Sequence, residues 1–181
     1  MRGSQKYVLP VKGLKTGKHK FTFDIDKKFF ESYNKSEIKN ASLSVEIELN
    51  KEPGIMELSA HFTGYMEVQC DRCLEYFKLT RNFSEKTFVK VRNTEETEDD
   101  EIIYITENEY EVKLTQYLYE CIMLNMPYQI LHPSDDHGNS MCNQEMLQKL
   151  DEFSIKKDTR EGTSEETDPR WNQLKDLKTK K

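Results

Sequence analysis

Among four cysteines and four histidines, the set that could share a metal is Cys70, Cys73, His132 and Cys142, with His137 nearby. Cys70-Asp71-Arg72-Cys73 is a C-x-x-C knuckle, which supplies half of a tetrahedral zinc site or a redox pair. Cys70, Cys73, His132 and Cys142 together make a Cys3His set, with His137 as a spare imidazole. The spacing of the second pair, His132-x9-Cys142, is longer than in ordinary zinc fingers. A blander reading stands beside this one: the knuckle cysteines stabilise a hairpin as small apolar residues, and His132 is exposed on a loop. A redox role would favour a helix N-terminus after the pair to lower a thiol pKa, whereas Leu74 to Leu79 read as extended. Cys121 falls on the apolar face of an expected helix and is assigned to the core, where a free thiol packs as a small hydrophobe.

Other chemistries find little support. No G-x-S-x-G elbow, phosphate-binding glycine loop or H-E-x-x-H motif occurs, and seven glycines make a nucleotide cradle improbable. His132, Asp135, Asp136 and His137 share one polar loop with no partner nucleophile. No catalytic residue and no small-molecule substrate are expected. For nucleic acid, Lys12, Lys15, Lys18 and Lys20 form a basic arm, and Arg72, Arg81, Lys86, Lys90 and Arg92 follow on the knuckle and the next strand. Such cations release counterions from phosphates, and nearby rings such as Tyr76 and Phe77 are of the type that stacks on unpaired bases. The net charge of −6 is divided unevenly, +5 over residues 1–92 and −11 beyond, so the back half would repel RNA unless turned away.

The elements that must position these groups follow from periodicity. Tyr7 to Val11 is a short edge strand, because Pro10 donates no ladder bond. Phe21, Phe23 and Ile25 alternate as a strand, and Asp26 caps a short helix carrying Phe29, Phe30 and Tyr33. Leu43, Val45, Ile47 and Leu49 alternate most clearly. Glu52-Pro53-Gly54 is turn chemistry, so 41–50 and 55–69 are expected to pair as an antiparallel hairpin. A strand from about 75 to 91, broken near 82–84, follows the knuckle. Residues 93–100 read as an exposed acidic loop and 102–105 as another strand. Leu114, Tyr117, Leu118, Cys121 and Ile122 then predict an amphipathic helix over 110–123, ended by Pro127. A second helix over 142–153 is expected to bury Met146, Leu150 and Phe153. Residues 154–167 have the composition of a disordered linker. Asp168-Pro169 opens a helical tail, 168–181, whose Trp171, Leu174 and Leu177 form a docking stripe. No run of about 18 apolar residues and no secretory leader is expected, and the thiols read as reduced and cytoplasmic.

Several of these residues in order, Cys70-Asp71-Arg72-Cys73-Leu74 with Phe77, a helix ending near Met126-Pro127, His132-Pro133-x-x-Asp136, Cys142, and Asp168-Pro169-Arg170-Trp171-x-x-Leu174, resemble the YceD family. These are the large ribosomal RNA subunit accumulation proteins. The likeness covers nearly the whole chain, including Lys12-Gly13-Leu14, and the 132–142 loop is most similar to members from the Bacteroidetes group. The resemblance implies a cytoplasmic factor for accumulation or processing of large-subunit (23S) rRNA, with no known catalytic residues. Many members carry a zinc-ribbon-like C-x4-C-x3-C-x2-C stretch after the helix. Here His132 and His137 take the first two positions and the next ligand is Cys142, so a structural zinc must be completed by the distant Cys70 and Cys73, or is lost. The expected architecture is an α+β domain over 1–153: a curved or barrel-like antiparallel sheet from 1–105, then two main helices and the His/Cys loop over 106–153. The expected partners are large-subunit rRNA or a pre-50S particle, or a large-subunit ribosomal protein, and no membrane. Two other functions compete: an acidic chaperone for a basic ribosomal protein, and a metal-dependent RNA-processing enzyme.

Overall fold

The computed structural model describes residues 7–33, 38–92, 102–106 and 108–154. In chain order these form β1 (Val8–Pro10), β2 (Gly17–Asp26), α1 (Lys27–Glu31), β3 (Asn40–Glu52), β4 (Ile55–Gln69), β5 (Tyr76–Arg92), β6 (Ile102–Thr106), β7 (Glu111–Lys113), α2 (Thr115–Leu124) and α3 (Gln144–Phe153). The chain divides into two units, Met1–Leu147 and Gln148–Lys181. Strands β2, β3, β4, β5 and β6 lie side by side in that order, and β1 pairs with β7 in a separate two-stranded sheet. The main sheet does not close among the described residues, because β2 and β6 occupy its two edges. It is antiparallel except for its last pair, since β6 runs parallel to β5. Expecting an all-antiparallel sheet therefore fails at β6.

Alternation decides which face is covered. Leu43, Val45, Ile47 and Leu49 of β3 are buried beside Met56, Leu58, Ala60, Phe62, Met66 and Val68 of β4, while Glu46, His61 and Thr63 point to solvent. The β3–β4 hairpin turns on Pro53 and Gly54, whose φ of 86° suits glycine. Asp26 caps α1 by accepting the Phe29 N–H at 3.3 Å, and Phe29 and Phe30 close over the core. Tyr7 meets Phe29 edge-on at 5.0 Å, and Tyr33 stacks on Tyr119 of α2 at 3.6 Å. Leu118, Cys121 and Ile122 bury the inner face of α2. No described helix is long and apolar enough to cross a membrane.

Three local expectations need correction. Strand β5 is unbroken at 82–84, because Asn82, Phe83 and Ser84 pair with Thr63, Phe62 and His61, and Phe62 stacks on Phe83 at 4.6 Å. Helix α2 starts at Thr115 rather than 110: Val112 is drawn into β7 opposite Leu9, and the Leu114 N–H bonds the Tyr7 carbonyl at 2.9 Å. Helix α3 half-buries Met146, but Leu150 and Phe153 are 47% and 86% exposed. The acidic stretch 93–100, the linker from 155 onward and the tail with Trp171, Leu174 and Leu177 lie outside the described residues.

Candidate metal centre

The knuckle is a tight loop between paired strands. After β4 ends at Gln69, the Cys70 N–H bonds the Glu75 carbonyl and the Leu74 N–H bonds the Cys70 carbonyl, both at 2.9 Å. Closing the loop places Leu74 in the left-handed region at φ 62°. That conformation costs an L-residue with a side chain roughly 1–2 kcal/mol. The turn aims the backbone N–H groups of Arg72 and Cys73 at the Cys70 sulfur. Burial pushes the Cys70 thiol up, but these donors, the His132 N–H and the His132 ring outweigh it and bring the thiol down to about 6. Cys70 is thereby readied as a thiolate, the form that binds metal.

Asp71 fastens the knuckle to the segment after α2. Its N–H bonds the Ile130 carbonyl at 2.7 Å, and its carboxylate accepts the Ile130 N–H at 2.6 Å. Two residues later His132 lies against Phe77, ring centroids 4.5 Å apart, with Nδ1 3.3 Å from the Cys73 sulfur. The long interval to Cys142 is taken up by a small hairpin. Ser134 bridges Ser140, and the Asp135 carboxylate accepts the N–H groups of His137 (2.9 Å) and Asn139 (2.7 Å). The Asn139 side chain and backbone hold the Asp135 carboxyl below its usual range. Met141 N–H then bonds back to the Pro133 carbonyl at 3.3 Å, so the chain re-enters beside the point it left. Asn143 caps α3 by accepting from Glu145 and Met146, and its amide donates to Glu75 at 2.6 Å, binding the helix start to the knuckle.

Cys70, Cys73 and Cys142 are buried, His132 is half-buried, and the four ligand atoms lie within 4.8 Å of one another. The Cys70 and Cys142 sulfurs are 3.8 Å apart. Zn–S bonds of about 2.3 Å and Zn–N bonds of about 2.0–2.1 Å in a tetrahedron set S···S edges near 3.8 Å and S···N edges near 3.5 Å. Two of the six edges, Cys70–Cys142 at 3.8 Å and Cys73–His132 at 3.3 Å, lie close to those values, and three thiols with one imidazole form a typical structural-zinc donor set. The residues therefore fit the metal. The Ser140 hydroxyl draws the Cys142 thiol down, yet burial and the sulfurs of Cys70 and Cys73 leave it raised, a crowding that a cation would relieve. Phe77, Leu131, Met146 and Leu147 pack around the sulfurs as a mini-core that meets the main one at Phe77. Replacing Asp71 by Ala is expected to cost about 1–2 kcal/mol in urea unfolding and to speed amide exchange at Ile130, since it removes a charged acceptor. Unchanged exchange at Ile130 would count against this anchor.

His137 sits exposed on the hairpin, outside the cluster. Cys121 lies in the main core, where burial raises its thiol to about 11. The basic candidates scatter. Lys18 and Lys20 both face Glu48, at 2.7 and 3.8 Å, and Lys86 faces Glu57 at 3.1 Å. Lys12 lies 3.9 Å above the Tyr110 ring, Lys15 is exposed beside it in sequence, and Lys90 is half-buried. Arg81 is half-buried on the inner face, and its guanidinium donates to the Asn125 carbonyl at the end of α2. Arg92 ends β5, and Arg72 is exposed on the knuckle. Sequence reading missed Lys39, Tyr65 and Lys78, which the β4–β5 register and the chain just before β3 bring to the knuckle end of the sheet.

Comparison with curated proteins and with solved structures gives no match. One family model does match, that of the large ribosomal RNA subunit accumulation protein YceD, over residues 58–178. The matched span begins in β4 and takes in the knuckle, α2 and all four candidate ligands. The chain belongs to the YceD family, whose name places its members in the accumulation of large-subunit ribosomal RNA.

Proposed function

We propose that this protein is a non-enzymatic, cytoplasmic factor in assembly of the large ribosomal subunit. It supports 23S rRNA accumulation by binding that RNA or a particle containing it, and it uses a structural zinc at Cys70, Cys73, His132 and Cys142. Family membership is the observation that carries this reading. The donor set supports a structural metal: three cysteines and a histidine fill a tetrahedron, whereas a metal nuclease keeps an open coordination position. The geometry elsewhere supports a non-enzymatic role. His61 has Ser84 on Nδ1 (2.8 Å) and Thr63 on Nε2 (3.1 Å) on an open sheet face. Both ring nitrogens are thus engaged by hydroxyls rather than by an orienting carboxylate.

The test is a gradient profile of cells depleted of the protein, with large- and small-subunit rRNA quantified separately. A selective fall in large-subunit rRNA and free large subunits is expected, with small-subunit rRNA unchanged. An unaltered ratio overturns the proposal.

A further inference from the structure

The solvent face of the main sheet differs between its two ends. At the β3–β4 turn end, Lys18, Lys20 and Lys86 are each set against a glutamate of the neighbouring strand. At the knuckle end two lysines lie over aromatic rings, and of these Lys78 has no carboxylate partner among the described residues while Lys39 also meets Glu67. Lys39 Nζ is 4.5 Å from the centroid of Tyr76, and Lys78 Nζ is 4.6 Å from that of Tyr65. The register Gln69–Tyr76, Glu67–Lys78, Tyr65–Thr80 puts both rings and Lys78 on one face, with the two tyrosine rows four residues apart along β4. At about 3.3–3.4 Å per residue, those rows are roughly 13 Å apart.

The acids at this end each have a partner, although Asp71 and Glu75 stay exposed: Asp71 accepts the Ile130 N–H, Glu75 accepts from Asn143, and Glu67 lies 3.8 Å from Lys39. Among the described residues, neither Lys78 nor Arg72 is ion-paired. Tyr76 is 45% exposed, and Leu74, held at a positive φ, is 56% exposed. Knuckle closure thus holds Leu74 with more than half its surface in solvent, where it is free for an outside contact.

We propose that this end of the sheet is a binding platform for single-stranded RNA. Tyr76 and Tyr65 stack unpaired bases, Leu74 borders the outer one, and Lys78 and Arg72 take the flanking phosphates. Flat rings interleaved with cations suit unpaired bases, because every base offers a π-face while the cations follow the backbone. A duplex hides those faces. The assignment rests on the reading that the protein acts on large-subunit rRNA and says where that RNA is held.

The experiment is fluorescence anisotropy of the full chain with a labelled single-stranded RNA 12-mer and with the same sequence as a duplex, over a range of salt. Tyr76→Ala and Tyr65→Ala are each expected to weaken single-strand binding by about 5- to 150-fold, the range for losing one base–aromatic stack. Lys78→Ala should lower the slope of log K against log salt by about 0.7. Lys18→Ala, at the glutamate-paired end, should leave both quantities unchanged. Thermal melts of the variants check that they fold. Equal affinity for duplex and single strand, or tyrosine variants that bind like wild type, overturns the platform. So does a wild-type chain that ignores the 12-mer yet loses co-sedimentation with pre-large-subunit particles on Tyr76→Ala, which makes the surface a protein contact and leaves the assembly role intact. A chain that binds neither RNA nor particle overturns both readings.

Discussion

Stripping the metal with a strong chelator, or replacing Cys142 by Ser, is expected to free residues 131–147 from the sheet while β3 and β4 stay folded. The magnitudes decide this. The segment is held by a mini-core in which Leu131, Met146 and Leu147 are only half-buried. Each returns less than the roughly 1.5–3 kcal/mol of full burial, whereas ordering a residue costs about 1–2 kcal/mol. The anchors at Asp71 and Asn143 add about 1–3 kcal/mol each at most. A structural zinc, worth about 10 kcal/mol or more in small zinc domains, is a term large enough to close that gap. The main core contains none of the ligands, so β3 and β4 do not depend on it. Hydrogen exchange followed by peptide mass should show protection lost across 131–147 and kept in 40–69. Cys121→Ala is the control, since Cys121 packs in the main core and should leave metal content unchanged. Equal protection in 131–147 with and without metal would show that packing alone holds the segment.

The second large effect is expected at Gly64. It pairs with Leu43 on the inner face at φ 147°, and a Cβ there would collide with the Ser42 carbonyl oxygen and lie 2.9 Å from the Leu43 Cα. Both obstacles are backbone of the adjoining strand, so no side chain can swing aside. Gly64→Ala therefore adds overpacking of about 1–3 kcal/mol to backbone strain of similar size. A loss of about 3 kcal/mol or more in urea unfolding is expected. Gly54→Ala, where a Cβ meets nothing within 4 Å, should suffer only from its positive φ. Similar losses at the two glycines would show that the close approach at Gly64 is relieved cheaply.

Much of this was legible from residue order because the signals were local. The β3–β4 hairpin could be read from alternation and Pro53-Gly54, and the Asp26 cap from the residue type before Phe29. The four candidate ligands could be named, but not that the chain brings them together. His132-x9-Cys142 looks too long until the 134–140 hairpin, built on the Asp135 carboxylate, returns the chain to its starting point. Strand β7 was hidden because three residues with one buried position, Val112, resemble the first turn of a helix as much as a strand. The Tyr65–Lys78 and Tyr76–Lys39 pairs were hidden because they depend on which residues face each other across strands and loops, which no single segment records. Basic residues were visible, but not that Lys18, Lys20 and Lys86 face carboxylates or that Arg81 turns inward.

Cys70 and Cys73 reach His132 and Cys142 across more than fifty residues of chain, and a shared metal ion is what would join them. The most direct measurement is the zinc content of the full chain, purified under reducing conditions without chelator, by elemental mass spectrometry. The geometry predicts about one zinc per chain, falling to a trace in Cys70→Ser and unchanged in His137→Ala. A wild-type chain with less than about a tenth of an equivalent of any transition metal, folded and with 131–147 protected from exchange, would contradict it.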